Sequence, residues 1–499
     1  MAAKIITARD CQPFYKGYKK GLANAIWYKE GTSKIPDEVK ILTKFLSSIV
    51  PVSIYADDSK YADADSKLAY SPYETQPYPF EKEDDSFSYQ RVWQAGRYIG
   101  TTQIDGCTVN IEPRFGNGWL EYLLADVFHF RLTKSENERD RNSWNELMRR
   151  IFWHLWVNKF SVANQYGLPR RTAKRIHQGI QIRGRLNARK SIFPFFMKHQ
   201  VVSEYWEKEV DDAICRIVYK AYSILAQRDM KKSAVPSQIQ ESLNDLYSLY
   251  QGHPISVSPH DYHGISYKSI YLSWKPLVDF SWQIIQQDSL CKHKNVKGES
   301  FSLFLDMAEI WEAFLRKKLG DGFANDGWRV LSIEECTFQI YRGKFYQRDI
   351  IPDIILEREQ NGQKEYMVFD AKYKRMRANK EAKSYDVDRT DLFQIHTYIQ
   401  YVEHHLGHVI VGGLLYPLTK TAQDEEGNEV EIVIDENRFH SEHLFGWEER
   451  NNANDTIFII DGVYCPESNN DDEETIKNEM ERYVEEMINR IKKYVPSPN

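Results

Sequence analysis

Two aspartates and a lysine are the residues of this chain whose types and spacing could do chemistry. They lie in the stretch PDIILEREQNGQKEYMVFDAK, where Asp353 precedes one apolar run, Asp370 ends a second, and Lys372 follows two residues later. Asn361-Gly362 between the runs is typical of a two-residue hairpin turn. Strands that pair symmetrically about this turn place Asp353 opposite Asp370. Because side chains alternate along a strand, Lys372 points to the same face as Asp370.

Facing carboxylates predict a cation between them. Two such groups repel in a half-buried sheet, and a pair of anionic oxygen ligands suits Mg²⁺, which also binds substrate phosphates. A lysine beside them can orient or help to deprotonate an attacking water and can stabilise the phosphorane, which is the chemistry of metal-assisted phosphodiester hydrolysis. The alternative is a structural Asp–Lys salt bridge on an exposed sheet face, and a bulge at 359–364 would put the aspartates on opposite faces. The turn and the apolar flanks favour the metal site.

The elements around this hairpin predict an α/β arrangement. SLFLDMAEIWEAFLRKKLG is predicted as a helix that ends at Gly320, and WRVLSIEECTFQIY as a strand. RTDLFQIHTYIQYVEHHLG has helical spacing, and HVIVGGLLYPL is typical of a buried strand. The chain closes with DDEETIKNEMERYVEEMINRIKKYV, an amphipathic helix with acids at its start and lysines at its end.

The upstream part is predicted to contain one hairpin and several helices. RYIGTTQIDGCTVNIEP is predicted as a hairpin about Asp105-Gly106, helical spacing dominates residues 118–160, and VSEYWEKEVDDAICRIVYKAYSILAQ is predicted as one long helix. Residues 55–88 indicate a loop or linker. The predicted fold class is mixed α/β in four segments: an N-terminal β-containing region at 1–115; a mainly helical region at 116–295; an α/β domain at 296–425 that contains the hairpin; and an acidic extension at 426–499.

Composition and charge narrow the function classes. The chain is 42% apolar and 28% charged over 499 residues, and it has no apolar run long enough to span a membrane. Six scattered cysteines and no signal-peptide core indicate a cytoplasmic protein with reduced thiols, and the absence of a Walker A pattern excludes a P-loop NTPase. Residues 161–200 carry nine Lys/Arg and no acid. This block is either a solvated basic face or a contact surface for nucleic-acid phosphates, whereas the acidic end of the chain is expected outside any nucleic-acid footprint.

The motif PD…DAK resembles that of the PD-(D/E)xK nuclease superfamily. More narrowly, the chain resembles the McrC family, the nuclease subunits of McrBC-type modification-dependent restriction systems. The resemblance covers about half of the chain, in the family's order, through GIQIRGRLNARKSI, FLDMAEIWEAFLRKKL, PDIILE, VFDAKYKR, TDLFQIHTYIQYV and VGGLLYP. It implies a restriction-endonuclease-like domain that cleaves DNA with Mg²⁺ (Mn²⁺ as a substitute), to leave a 5′-phosphate and a 3′-hydroxyl. It also implies a separate McrB-like AAA+ GTPase or ATPase ring as partner, which the N-terminal part of the chain would contact and stimulate.

The resemblance also implies roles for particular residues. Asp353 and Asp370 would be metal ligands with the Ala371 backbone carbonyl, and Lys372 would be the catalytic lysine. Glu312 could be an accessory metal ligand, or else an acid on the solvent face of a helix. Gln394 and Tyr398 match the superfamily's QxxxY motif and share a helix face that can flank the site and contact DNA, or they are a packing pair. The predicted phosphate and DNA contacts, each with a solvated position as its alternative, are Lys374, Arg375, Arg183, Arg185 and Arg189.

Other readings of the chain stay open. His404, His405 and His408 lie close together, but surface histidines at a helix end are favoured over a zinc site because no Cys or acid has suitable spacing. The chain could instead be a stand-alone PD-(D/E)xK nuclease of DNA repair or recombination. A third possibility is a mainly regulatory subunit that activates an NTPase and whose nuclease site is vestigial, although the intact Asp, Asp and Lys argue against it.

Overall fold

A computed structural model of the chain describes most of the sequence and divides it into two compact units. The first unit comprises residues 1–148 and 290–499, and the second comprises residues 149–289. The described residues are 4–27, 35–48, 67–74, 78–81, 87–128, 144–226, 237–253, 255–292, 303–342, 347–374, 377–379, 384–419, 421–423, 429–431, 440–441, 456–466 and 473–496. Most of the loop predicted at 55–88, and Arg375, lie outside them.

The fold is mixed α/β, as the sequence predicts. The described strands are β1 Lys4–Arg9, β2 Tyr15–Lys16, β3 Ala69–Tyr70, β4 Tyr78–Glu81, β5 Phe87–Gln90, β6 Gln94–Ala95, β7 Tyr98–Ile104, β8 Cys107–Glu112, β9 Arg170–Gly179, β10 Arg185–Leu186, β11 Val201–Val210, β12 Leu303–Asp306, β13 Arg329–Val330, β14 Phe338–Arg342, β15 Gln347–Ile350, β16 Ile354–Gln360, β17 Gln363–Ala371, β18 Arg377–Asn379, β19 Ser384–Asp386, β20 His408–Leu418, β21 Thr421–Gln423, β22 Glu429–Glu431, β23 His440–Ser441 and β24 Ile457–Tyr464. The described α-helices are α1 Asp37–Ser48, α2 Asn117–Phe128, α3 Trp144–Ala163, α4 Ala188–Lys198, α5 Asp212–Leu225, α6 Ser237–Tyr250, α7 Pro259–His263, α8 Lys275–Lys292, α9 Met307–Phe323, α10 Arg389–His405 and α11 Glu473–Lys492. None of the described helices is both long and apolar enough to cross a membrane.

A five-stranded sheet organises the N-terminal part of the first unit, in the order β12-β7-β8-β1-β2. The predicted hairpin β7–β8 is present, and its turn residues Asp105 and Gly106 have φ of 50° and 77°. β1 pairs in parallel with β8, and the far edge is closed by β12, which pairs antiparallel with β7. Because β12 leads directly into α9, the N-terminal sheet and the helix that precedes the hairpin of Asp353 and Asp370 belong to one unit.

A six-stranded sheet carries that hairpin, in the order β13-β16-β17-β20-β24-β23. β16 and β17 are antiparallel, whereas β20 runs parallel to β17 and β24 runs parallel to β20. The predicted helix α10 connects β17 toward β20 and packs on both strands. Its buried face, which includes Ile395, Ile399 and Val402, forms one apolar core with Val368 and Leu414. This packing fixes α10 beside the end of β17.

The acidic end of the chain is part of this sheet. Residues 426–499 were predicted as an extension, but β24 pairs with β20 over eight residues and α11 packs on β24, α2 and α9. The predicted apolar stripe of α11 is buried at Ile476, Met480, Tyr483, Met487 and Ile491. The acids lie mostly on its opposite, exposed face. The run IFIIDGVY that forms β24 explains the error, because its apolar residues bury it beside β20.

Three other predicted elements are wrong in part. The long helix predicted from residue 202 is instead β11 followed by α5, since β11 pairs along its whole length with β9. The helix predicted from residue 302 begins only at Met307, because the preceding residues form the edge strand β12. The single strand predicted over 328–341 is divided between β13 and β14, which lie in different sheets.

The second unit contains a helical core and an exposed arm. Its core is rich in stacked aromatic rings, among them Trp153, Trp156, Phe160 and Phe280. The arm, defined here as residues 170–210, is the three-stranded sheet β10-β11-β9 with α4 packed on β11. This arm contains all nine basic residues of the block predicted from the sequence.

Candidate active site and metal centre

The register of the central hairpin is the one predicted from its turn. Asn361 and Gly362 have φ of 53° and 76°, which a two-residue hairpin turn of this kind requires. Pairing runs without a shift from Gln360–Gln363 to Ile354–Phe369, so no bulge interrupts β16 and β17. One further step of this register brings Asp353 opposite Asp370.

The backbone around Asp353 is held from two sides. Oδ2 of Asp353 accepts a hydrogen bond of 2.8 Å from the backbone N–H of Ala371. The guanidinium of Arg316, on α9, donates to the carbonyl oxygen of Asp353 and, at 2.6 Å, to that of Leu331. The carboxyl group that precedes β16 is therefore tied to the end of β17, beside Lys372.

Lys372 joins the aspartates to α10. Its Nζ lies 2.6 Å from Oδ2 of Asp370 and donates to Oε1 of Gln394 at 2.8 Å. Nε2 of Gln394 in turn donates to the hydroxyl of Tyr398 at 2.8 Å. The structure thus brings Asp353, Asp370, Lys372, Gln394 and Tyr398 together.

Electrostatics make the carboxyl pair a strong candidate for a cation site. Burial and the neighbouring charge of Asp353 raise the pKa of Asp370 well above its ordinary value. Burial and the charge of Glu312 raise the pKa of Asp353. Burial alone would lower the pKa of Lys372, but the carboxylates of Asp370, Asp353 and Asp391 raise it overall. The lysine is therefore an ammonium group, and a single positive charge does not fully offset the acids around it.

Glu312 lies beside this pair. It is buried on α9, with 3% of its surface exposed, so the alternative of a solvent-facing helix acid is wrong. Its charge reaches Asp353, as the raised pKa of that aspartate indicates. Among the described residues, no group of three or more His, Cys, Asp or Glu side chains is arranged to hold a metal ion. The role of Glu312 as a ligand stays a prediction.

The residues present fit Mg²⁺ through the two aspartates. Their ligand atoms are all oxygen, Asp370 is buried and Asp353 half-buried, and each has a raised pKa that a divalent cation would relieve. Mg²⁺ is commonly bound by only one or two carboxylates, with waters and substrate phosphates as its other ligands. Two carboxylate ligands are therefore sufficient for this chemistry, and the Ala371 carbonyl stays the predicted backbone ligand.

Asp391 is a residue of the site that the sequence did not reveal. It is 2% exposed in the first turn of α10, where its Oδ1 lies 3.6 Å from Nζ of Lys372 and 2.9 Å from Nζ of Lys374. Lys374, predicted as a phosphate contact, is therefore paired with an acid. Asp391 precedes Gln394 by three residues on one helix face, and this spacing is the signal that could have identified it.

The remaining predicted residues lie elsewhere or stay untested. Arg183, Arg185 and Arg189 are exposed on the arm in the second unit. Other basic residues of the arm, Arg171 and Arg175, pair across the sheet with Glu209 of β11. His404 and His405 are exposed at the end of α10, and His408 lies 3.2 Å from Glu403.

A family model described as "McrBC 5-methylcytosine restriction system component" matches residues 93–417, well over half of the chain. No curated protein gives a significant match.

Two solved structures from Thermococcus gammatolerans resemble the chain loosely. One is a refined half-complex of McrB AAA+ hexamers with bound McrC, at 15% identity and a TM-score of 0.40, which covers 79% of this chain and 84% of that one. The other is the McrBC complex determined by cryo-electron microscopy, at 15% identity and a TM-score of 0.32, which covers 64% of this chain and 88% of that one.

Proposed function

The chain belongs to the family of McrBC 5-methylcytosine restriction system components, and we propose that it is the DNA-cleaving subunit of such a system. The reaction would be Mg²⁺-dependent hydrolysis of phosphodiester bonds, with Mn²⁺ able to substitute, by a site of the PD-(D/E)xK type. The observation that carries this proposal is the convergence of Asp353, Asp370 and Lys372 at one end of the β16–β17 hairpin.

Each side chain would have a distinct part in the chemistry. When bound, Mg²⁺ supplies a Lewis acid that polarises the phosphate and lowers the pKa of a water. Asp353 and Asp370 provide the negative charge that holds the cation, and the Ala371 carbonyl adds a neutral oxygen. Lys372, kept protonated by its acidic neighbours, can orient the attacking water and stabilise charge on the phosphorane.

The QxxxY pair would fix this lysine. Gln394 accepts a hydrogen bond from Lys372 and donates one to Tyr398. Burial raises the pKa of Tyr398, so its hydroxyl stays neutral and able to accept from the amide. Immobilising the ammonium group before substrate binds reduces the reorganisation that the transition state requires.

We further propose that a separate AAA+ NTPase acts with this chain and contacts the arm, in addition to the N-terminal region at 1–115 that the sequence suggests. The arm exposes an unusual set of large apolar side chains: Ile176, Ile180, Ile182, Leu186, Ile192, Phe193, Phe195, Phe196, Met197 and Trp206. Apolar exposure on this scale is typical of a protein-binding surface. The basic residues Arg183, Arg185 and Arg189 could add contacts to DNA phosphates, as the sequence suggests.

A cleavage assay tests the proposal directly. Purified chain, its NTPase partner, NTP, Mg²⁺ and DNA should give cleaved product, and Asp370→Asn should abolish it. Asp461→Asn is the matched control, because Asp461 is also a buried aspartate of this sheet but pairs with Arg490 on α11. Equal cutting by wild type and Asp370→Asn would refute the site.

The same assay separates the alternatives. Cutting without any partner would favour a stand-alone nuclease of repair or recombination, and a gene for an AAA+ protein next to this one would argue against that reading. Stimulation of the partner's NTP hydrolysis with no cleavage under any condition would favour a regulatory subunit with a vestigial site.

A further inference from the structure

A buried cluster behind the site joins the N-terminal sheet to the strand end that carries Lys372. The Arg114 cluster, as it is called below, consists of Asp10, Arg114, Trp119 and Tyr373, all of them buried. Asp10 follows β1, and Arg114 and Trp119 follow β8, whereas Tyr373 is the residue directly after Lys372. Residues separated by more than 250 positions in the sequence thus meet beside the candidate site.

Arg114 is the centre of the cluster. Its backbone N–H donates to Oδ1 of Asp10 at 2.5 Å, and its Nε lies 3.6 Å from Oδ2 of the same residue. The guanidinium carbon lies 4.3 Å from the ring centre of Tyr373 and 4.9 Å from that of Phe115. A desolvated guanidinium over an aromatic face is strongly attracted to it, so the N-terminal segment holds the Tyr373 ring in place.

Trp119 extends this contact to both sides of the site. Its ring stacks on Tyr373 at 6.3 Å and on Trp311 at 6.4 Å. Trp311 precedes Glu312, and Tyr373 follows Lys372. The carbonyl oxygen of Leu415 accepts from Nε1 of Trp311 at 3.3 Å and from the backbone N–H of Lys372 at 2.9 Å. The indole of Trp119 therefore supports both segments that carry site residues, and Trp119 itself lies outside residues 296–425.

We propose that Arg114 and Trp119 are positioning residues of the nuclease site, so that the active unit includes the N-terminal sheet as well as the hairpin and its helices. They do not touch substrate or metal. They fix the backbone at 371–373, and with it the position of the Lys372 ammonium relative to the carboxyl pair. The part of this proposal that concerns cleavage rests on the proposed function.

Amide hydrogen exchange in the full-length chain tests the positioning without any catalysis. In Arg114→Met and Trp119→Leu, exchange at the amides of Ala371 and Lys372 should rise by about tenfold, since losing the stacked contact makes local opening easier. Exchange at 366–369 of the same strand should change little. Arg114→Lys keeps the charge without the planar stack and should give a smaller rise, which keeps the test available if Arg114→Met folds poorly.

Arg358→Met is the matched control. Arg358 is equally buried, lies 4.6 Å from the Trp328 ring centre and pairs with Glu365, but it sits toward the turn of the same hairpin. It should lower the melting temperature without a selective rise at 371–372. A rise in exchange that is uniform over the unit in the Arg114 and Trp119 variants, or none at all, would overturn the positioning role.

Kinetics give the second readout. In Mg²⁺-dependent cleavage, Arg114→Lys and Trp119→Leu should lower kcat by about 10- to 100-fold and leave the KM for DNA unchanged, because a misplaced catalytic group costs rate rather than binding. A change in KM alone would contradict the proposal. If wild type does not cut but exchange at 371–372 responds as expected, the proposed function fails and the positioning role stands.

Discussion

The Nζ atom of Lys372 and the Oε1 atom of Gln394 lie 2.8 Å apart, which links the strand that carries Asp370 to helix α10. The amide oxygen is neutral, so it can hold the ammonium group without neutralising it. Lys372 therefore keeps the positive charge that its acidic neighbours stabilise. The contact depends on the packing of α10 against β17 and β20, so the chemistry of the site and the core of the sheet are coupled.

Replacing the amide should impair catalysis more than folding. Gln394→Ala removes the acceptor for Lys372 and the donor to Tyr398, and we expect kcat to fall by about 10- to 100-fold. Thr397→Ala, an exposed position on the same helix, is the control and should cut like wild type. Steady-state cleavage rates together with melting temperatures check this, and a variant that cuts normally would remove Gln394 from the mechanism.

Asp370→Asn should be inactive yet more stable than wild type when metal is removed with EDTA. The folded-state pKa of Asp370 is raised, so its ionisation above that pKa costs folding free energy, and a neutral isostere avoids the cost. Because the pKa is raised on folding, the melting temperature of Asp370→Asn should exceed that of wild type by more at neutral pH than at acidic pH. This gap should shrink as pH falls below the raised pKa and disappear near the ordinary pKa of an aspartate, where the wild-type carboxyl is protonated in both the folded and the unfolded state.

Thermal melts in EDTA at several pH values measure this gap. Added Mg²⁺ should raise the melting temperature of wild type and not that of Asp370→Asn, because only the wild-type site binds the ion with both carboxylates. A variant less stable than wild type at every pH would show that Asp370 is chiefly structural.

Asp391 should matter through the two lysines it holds. Asp391→Asn weakens the pairing with Lys374 and removes a charge near Lys372, and we expect kcat/KM to drop about tenfold or more. Asp388→Asn is the matched control for the charge near Lys372: Asp388 caps the same helix and lies 4.0 Å from Lys374, and asparagine caps equally well. Equal values of kcat/KM for Asp391→Asn and Asp388→Asn would show that Asp391 has only a structural role.

The sequence identifies the site where the geometry is local. Asn361-Gly362 indicates the register of the hairpin, so the meeting of Asp353 and Asp370 can be predicted from their spacing about the turn. Glu312 and Asp391 reach the site through the packing of α9 and α10. Helical spacing relates Asp391 to Gln394, but it does not specify the contacts of Asp391 with Lys372 and Lys374. β12 and β24 are apolar strands, and their pairing partners β7 and β20 belong to other parts of the chain. The residue pattern of β11 is also compatible with a helix, and its pairing with β9 is what makes it a strand. The role of Arg114 could not be predicted from the sequence either, because its partner Tyr373 is more than 250 residues away in the chain.

The turn itself should contribute stability without being needed to set the register. A Cβ at Gly362 would meet no atom within 4 Å, so Gly362→Val costs only the left-handed backbone conformation, about 1–2 kcal/mol. The buried faces of β16 and β17 still specify the pairing, and kcat per folded molecule should be unchanged. Gly106→Val, in the other hairpin turn and equally open, is the matched control for denaturant unfolding. Loss of kcat in Gly362→Val alone would mean that the turn sets the register.

The arm should separate binding of the partner from binding of DNA. Phe193→Ser with Phe196→Ser removes two of its most exposed aromatic side chains. The double variant should bind the NTPase partner more weakly, because a few large apolar side chains supply most of the binding free energy of such an interface.

Arg183→Ala, Arg185→Ala and Arg189→Ala together should instead weaken DNA binding and reduce its salt dependence. Neither set lies in the unit of the carboxyl pair, so Mg²⁺ should still raise the melting temperature of that unit in both. Unchanged partner affinity in the phenylalanine variant would refute the arm as the contact surface, and an unchanged salt dependence in the arginine variant would remove these three residues from the DNA interface.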